Sequence, residues 1–153
     1  PKDLEGKKVV VVGGGAVGLD VVEFFADRNA DISIVEMMDQ IGRDLDPVSK
    51  NDTKTMMKKH GVHQLTKTAL LEIKDSSFLV RGDSEPYELP FEYGFVCLGM
   101  RAQGQLYQNL TEAFSSEDVE IMNIGDSQRA RRIIDGTQEG RNILTILEQK
   151  GYL

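Results

Sequence analysis

One cysteine, Cys97, stands alone among the 153 residues. That excludes an internal disulfide and a paired-thiol redox motif. It lies in the apolar run Phe95–Leu98, so the expectation is a buried, inert thiol. Histidine is nearly as scarce: His60 and His63 have no other metal-type neighbours, and no metal site is expected. No apolar run approaches the ~20 residues of a membrane span. Positive charge is outweighed, with 18 Lys+Arg against 25 Asp+Glu and a net charge of −7. This argues against nucleic acid or an anionic membrane as partner. No Ser/His/Asp or Cys/His constellation stands out, so no residue is assigned as catalytic. Pro1–Lys8 is polar and has no basic, apolar leader. The expectation is no secretion signal, a cytoplasmic setting and, from the start at Pro1 without Met, a piece of a longer protein.

What is present is ordinary in bulk and specific in detail. Apolar residues make up 40% and charged residues 28%, as in globular domains large enough to hold a core. The informative stretch is Lys8–Glu36. Val9–Val12 is a β-branched run, apolar on both faces, the mark of a strand buried in a parallel sheet. Gly13, Gly15 and Gly18 follow as G-x-G-x-x-G where strand turns into helix. Gly13 permits the tight turn, Gly15 lets a pyrophosphate approach the backbone, and Gly18 lets helix and strand pack closely. The helix, expected from about Ala16 to Arg28, offers unpaired N–H groups and a positive dipole end to an anion. Gly14, Ala16 and Val17 complete the candidate anion-binding turn.

A second strand, Ile32–Val35, ends in Glu36, 18 residues after Gly18. That is close to the spacing expected for a ribose-binding acid. Its carboxylate can accept both hydroxyls of an adenosine ribose, at roughly 1.5–3 kcal/mol per charged hydrogen bond. It would repel a 2′-phosphate, which predicts NAD(H) rather than NADP(H). The bland alternative is a βαβ unit with a glycine-rich turn and no ligand. In the loop Met37–Leu45, Met37 and Met38 could flank an adenine or stand as exposed loop residues. Arg43 could touch a phosphate or be solvated.

Asp46 as N-cap, Pro47 in the first turn and Gly61 past the end predict the next helix. Val62–Leu65 reads as a third parallel strand. Ala69–Ile73, Phe78–Arg81 and Tyr87–Leu89, separated by turn residues, read as an antiparallel meander. Phe95–Leu98 is expected as a buried strand ended by Gly99, which could admit a cofactor at the strand's carboxyl end or make a plain turn. A short helix is expected near Leu106–Leu110, a strand over Glu120–Ile124, and one helix over Arg131–Gln149. Arg129, Arg131 and Arg132 could bind phosphate or form a solvated helix start. The fold class is thus α/β, a Rossmann-like three-layer domain with a parallel sheet plus a three-stranded antiparallel β-meander.

Three features together carry a resemblance: V-V-V-V-G-G-G-A-V-G-L-D with Val35-Glu36, the meander followed by V-C-L-G-M-R, and N-I-G-D-S (Asn123–Ser127) followed by D-G-T-Q-E-G (Asp135–Gly140). The chain resembles the two-dinucleotide-binding-domain flavoprotein superfamily, in which an NAD(H) domain is inserted into an FAD domain. Within it, the chain is most similar to the carboxyl-terminal part of old yellow enzyme-like reductases: 2-enoate reductases, 2,4-dienoyl-CoA reductases and their NADH oxidase relatives. The resemblance implies an NAD(H)-binding domain over 1–122 and an FAD-domain tail over 123–153. It implies that Gly13, Gly15, Gly18 and Glu36 hold NADH, that Gly99 lines the pocket, and that Gly125 and Asp126 match the motif that binds the ribityl chain of FAD. Asp20 takes the place of a glutamate that faces the nicotinamide in many members, one methylene shorter; a plain helix-surface role stands beside that reading. The chain carries one glycine motif and no barrel. FAD would therefore be bound mainly by the rest of the parent, as would FMN and an iron–sulfur cluster. The final helix would pack on the FAD half; without it, the apolar stripe through Ile133, Ile143 and Leu147 should pack on its own sheet or drive formation of a homodimer. The competing readings are a stand-alone dinucleotide-sensing domain and an S-adenosylmethionine-binding methyltransferase fold, the latter disfavoured by the tight glycine turn.

Overall fold

The computed structural model describes residues 4–117 and 119–152. The expected polar start falls partly outside them, at residues 1–3. The chain divides into two compact units, Pro1–Gly99 and Met100–Leu153.

The first unit is built on a parallel four-stranded sheet. Its strands are β1 (Lys8–Val12), β2 (Asp31–Val35), β3 (His63–Leu65) and β7 (Tyr93–Val96), in the order β3-β2-β1-β7. The valine run explains why β1 is central. Val9 and Val11 point to one core, shared with Leu19, Val22 and Phe25 of α1 (Ala16–Ala26) and Met57 of α2 (Pro47–Lys59). Val10 and Val12 point to the other core, with Val35, Phe78 and Val80. Both faces of β1 are thus buried, as the sequence implies. The second core lies against the antiparallel sheet β4 (Ala69–Ile73), β5 (Ser77–Arg81) and β6 (Tyr87–Pro90). Helices, parallel sheet and meander form the three expected layers.

Helix α2 starts as expected. The Asp46 carboxylate accepts from the N–H groups of Val48 and Ser49 at 3.0 and 3.1 Å, and Pro47 follows in the first turn. Gly61, just past His60, takes φ +65°.

Two expectations near the sheet are corrected. The strand expected at Phe95–Leu98 is Tyr93–Val96, and it is not buried on both sides. Among the described residues it forms the sheet's edge, paired with β1 alone, so apolar composition there does not amount to burial.

The second unit holds α3 (Gln105–Ala113), longer than the helix expected, a 3₁₀ turn at Gly125–Ser127, α4 (Ile133–Arg141) and α5 (Ile143–Gln149). The strand expected over Glu120–Ile124 is an irregular segment. The single helix expected over Arg131–Gln149 is two, because the Asn142 N–H closes onto the carbonyls of Gln138, Glu139 and Gly140 and ends α4 there. Glycines at 136 and 140 weaken the helix that periodicity alone would extend. No residue of α4 or α5 is buried. Ile133, at the start of the expected stripe, is exposed, as are Ile134 beside it and Leu144.

Candidate functional site

The parallel order places β1 between β2 on one side and β7 on the other, so the chain's direction of winding reverses beside β1. Open α/β sheets take ligands at the carboxyl ends of strands at such a reversal. The glycine turn lies there.

The three motif glycines meet three different surroundings. Gly13 takes φ +110°, and its N–H donates to the Val35 carbonyl at 2.8 Å. A Cβ on it would lie 2.2 Å from the carbonyl oxygen of Cys97. A Cβ on Gly18 would lie 1.9 Å from the Gly13 carbonyl oxygen. Both are far inside van der Waals contact, so the turn and the helix–strand approach require glycine. Gly15 differs: a Cβ there would meet nothing within 4 Å. Its backbone is extended (φ −81°, ψ −177°), and no side chain caps α1. The first N–H groups of α1 have no acceptor inside the helix. Gly15, Ala16 and Val17 are exposed. The turn is packed on itself where a side chain would collide and open where a phosphate would approach. A nicotinamide dinucleotide fits it on that observation.

Glu36 closes β2 beside this turn and is half-buried. Its Oε2 accepts from the Gly14 N–H at 2.6 Å, and its Oε1 from the Met38 N–H at 2.8 Å. Sequence reasoning placed the acid but not these partners. It also missed Gly42, which takes φ +66° and donates its N–H to the Gly14 carbonyl at 2.7 Å. A lone glycine inside the loop Met37–Leu45 was the available signal. Ile41 packs over the same turn, with its side chain 3.2 Å from where a Gly14 Cβ would stand.

The other candidates are less gathered. Met37 and Met38 are exposed. Neither lines the hollow of about 540 Å³ beside their loop, which is bounded by Asp39, Ile41, Lys50, Lys54, Gln64 and Thr66 among others. Arg43 lies 3.7 Å from Asp44 with both side chains largely in solvent. Gly99 takes φ +79° with open space around it. Asp20 is exposed on α1 and borders an apolar groove formed with Val17, Val21, Phe24, Phe25 and Phe95. Cys97 is half-buried, and burial pushes its thiol pKa up; it stays protonated at neutral pH, consistent with a structural role.

In the second unit, Gly125 takes φ +64°. Its N–H donates to Glu139 Oε2 at 2.6 Å, and Glu139 also pairs with Arg131. The Gly125 N–H first and the guanidinium second hold the Glu139 carboxyl below the usual range. The Asp126 carboxylate accepts from the Arg131 N–H at 3.2 Å. Gly125 and Glu139 are thus bonded to one another, while Asp126 Oδ2 accepts no hydrogen bond among the described residues.

Residues 1–123 match the family model described as pyridine nucleotide-disulphide oxidoreductase. The chain belongs to that family, whose whole members are flavin- and NAD(P)-dependent oxidoreductases. A metal reductase of Desulforamulus reducens is 26% identical over 167 residues, covering 90% of this chain and 24% of that protein. An NADH oxidase of Thermoanaerobacter brockii is 27% identical over 135 residues, covering 88% and 20% respectively. The chain thus spans about a fifth to a quarter of the length of these relatives. A 2-naphthoyl-CoA reductase structure superposes with a TM-score of 0.65 at 21% identity, over 89% of this chain and 20% of that one, which shows a common fold. The resemblance to two-dinucleotide-binding flavoproteins is borne out. With one cysteine, this chain cannot by itself supply a dithiol–disulfide pair. Among the described residues, no helix is long and apolar enough to cross a membrane.

Proposed function

We propose that this chain is the NADH-binding part of a flavin-dependent oxidoreductase of the enoate reductase, dienoyl-CoA reductase or NADH oxidase type, acting in the cytoplasm. Residues 1–122 bind the dinucleotide, and residues 123–153 belong to the tail of the FAD domain. The diphosphate lies against Gly14–Gly18, and Glu36 accepts the adenosine ribose hydroxyls. NADH supplies the hydride; the chain's own residues bind it, orient it and exclude water, and the flavin and any further cofactor, FMN or iron–sulfur, belong to the rest of the parent. The observation that carries this reading is the open space at Gly15 between two glycines whose Cβ positions are blocked. The exposed stripe of α4 and α5 is the proposed surface for the missing FAD half or, without it, for a second copy of the chain.

Calorimetric titration with NADH and NADPH tests the reading. NADH should bind at least tenfold more tightly than NADPH, and Glu36→Ala should lose most of that preference. Equal affinity for the two cofactors in the unaltered chain removes the specificity claim.

A further inference from the structure

The hydrogen bonds of Glu36 give that residue a second task, which rests on the NADH reading. Each carboxylate oxygen already holds one backbone N–H: Gly14 on Oε2 and Met38 on Oε1. The next peptide unit, Gly14–Gly15, is held through the Gly14 carbonyl, which accepts from the Gly42 N–H at 2.7 Å. Further along the chain, the Thr68 N–H donates to the Glu36 carbonyl and the Lys67 N–H to the Met38 carbonyl, each at 2.9 Å. The glycine turn, the end of β2 and the loop after it are therefore one hydrogen-bonded assembly with Glu36 at its centre. A Cβ on Gly14 would stand 3.0 Å from Glu36 Oε2, so the absence of a side chain at Gly14 is what lets the acid come this close.

We infer that Glu36 is a positioning residue for the diphosphate as well as the acceptor for the sugar. A carboxylate offers about four lone-pair sites. Two are filled by Gly14 and Met38, and two are left for the ribose hydroxyls. The bond from the Gly14 N–H to Glu36 fixes the Gly13–Gly14 peptide, and the Gly42 N–H fixes the next one, Gly14–Gly15, through its carbonyl; the two together set the direction of the first N–H groups of α1. Binding groups held in place before the ligand arrives lower the ordering cost of association. Replacing Glu36 should then weaken even a ligand that has no ribose hydroxyls to offer it.

The test is made on the 153-residue chain with NADH and its analogue lacking both adenosine ribose hydroxyls. Glu36→Gln keeps one acceptor oxygen but turns an NH₂ toward the second N–H. Amide hydrogen exchange at Gly14 or Met38 in the free protein should rise about tenfold or more, the scale of one lost bond to a charged acceptor. The dideoxy analogue should bind Glu36→Gln at least fivefold more weakly than the unaltered chain. If Glu36→Gln does not fold, Glu36→Asp carries the same test, since its shorter arm cannot span both N–H groups while keeping the charge. Unchanged exchange at both amides overturns the inference. So does equal affinity of the dideoxy analogue for the unaltered chain and the variant, which leaves Glu36 a sugar contact only. If NADH does not bind the unaltered chain, the functional reading fails and positioning of a diphosphate fails with it; the exchange data then report separately whether Glu36 orders the turn.

Discussion

Replacing Gly15 and Gly18 in turn by alanine separates binding from folding within a single motif. At Gly15 the backbone angles suit any residue, and a methyl group meets no protein atom within 4 Å. Such a Gly→Ala change restricts the unfolded chain and stabilises by about 0.4–1 kcal/mol. For a domain of this size, that raises the melting temperature by roughly 1–4 °C. The same methyl occupies the approach to the backbone N–H groups. Losing one hydrogen bond to a charged phosphate costs about 1.5–3 kcal/mol, so NADH affinity should fall by about tenfold or more. At Gly18 the methyl would stand 1.9 Å from the Gly13 carbonyl oxygen. Ordinary contact distances are about 3.5 Å, so α1 must move off β1 by on the order of 1.5 Å. Overpacking of this kind costs typically about 1–3 kcal/mol, a fall of several degrees, and it also displaces the N–H groups from the phosphate. Differential scanning calorimetry and NADH titration on both variants decide the matter. Undiminished NADH affinity in Gly15→Ala, or an unchanged melting temperature in Gly18→Ala, refutes the reasoning.

Two further outcomes are expected. The folded pKa of Glu139 is depressed by the Gly125 N–H and by Arg131. Its contribution is therefore complete above the usual glutamate range, near about 4.3, and is lost as pH falls below that range through the depressed value. Helical circular dichroism should decline over that acid interval, and Glu139→Gln should flatten the response; identical acid profiles would count against the link. The exposed Ile133, Ile134 and Leu144 should make the chain self-associate. Sedimentation should show concentration-dependent dimers that Ile133→Glu weakens, whereas a monomer at all concentrations sets that proposal aside.

Much of the first unit was legible because local chemistry and global packing agree there. Val9–Val12 needs two apolar surroundings and has them, in the helical layer and the meander. Gly13 and Gly18 were read as turn and close-packing positions, and the blocked Cβ sites show why. Asp46 marks the start of α2 through hydrogen bonds within three residues, with Pro47 in its first turn and Gly61 at positive φ just past its end. What was missed depends on distant partners. That Glu36 holds Gly14, and that Gly42 holds it from the other side, joins residues 22 and 28 positions away from Gly14, which no spacing rule encodes. The apolar run at Phe95–Leu98 reads as buried, but composition does not say that β7 lies at the sheet edge. In the tail, periodicity continues across Asn142 while the backbone does not.

The central claim is that the dinucleotide's diphosphate rests on the main chain between β1 and α1. An NADH titration followed by amide NMR on the uniformly ¹⁵N-labelled chain tests it most directly. Saturable shifts should be largest at Gly14–Gly18, with Glu36 and Met38 next, and should be absent in Gly15→Ala at the same NADH concentrations. Saturable shifts centred elsewhere, or none at those amides, would contradict the account.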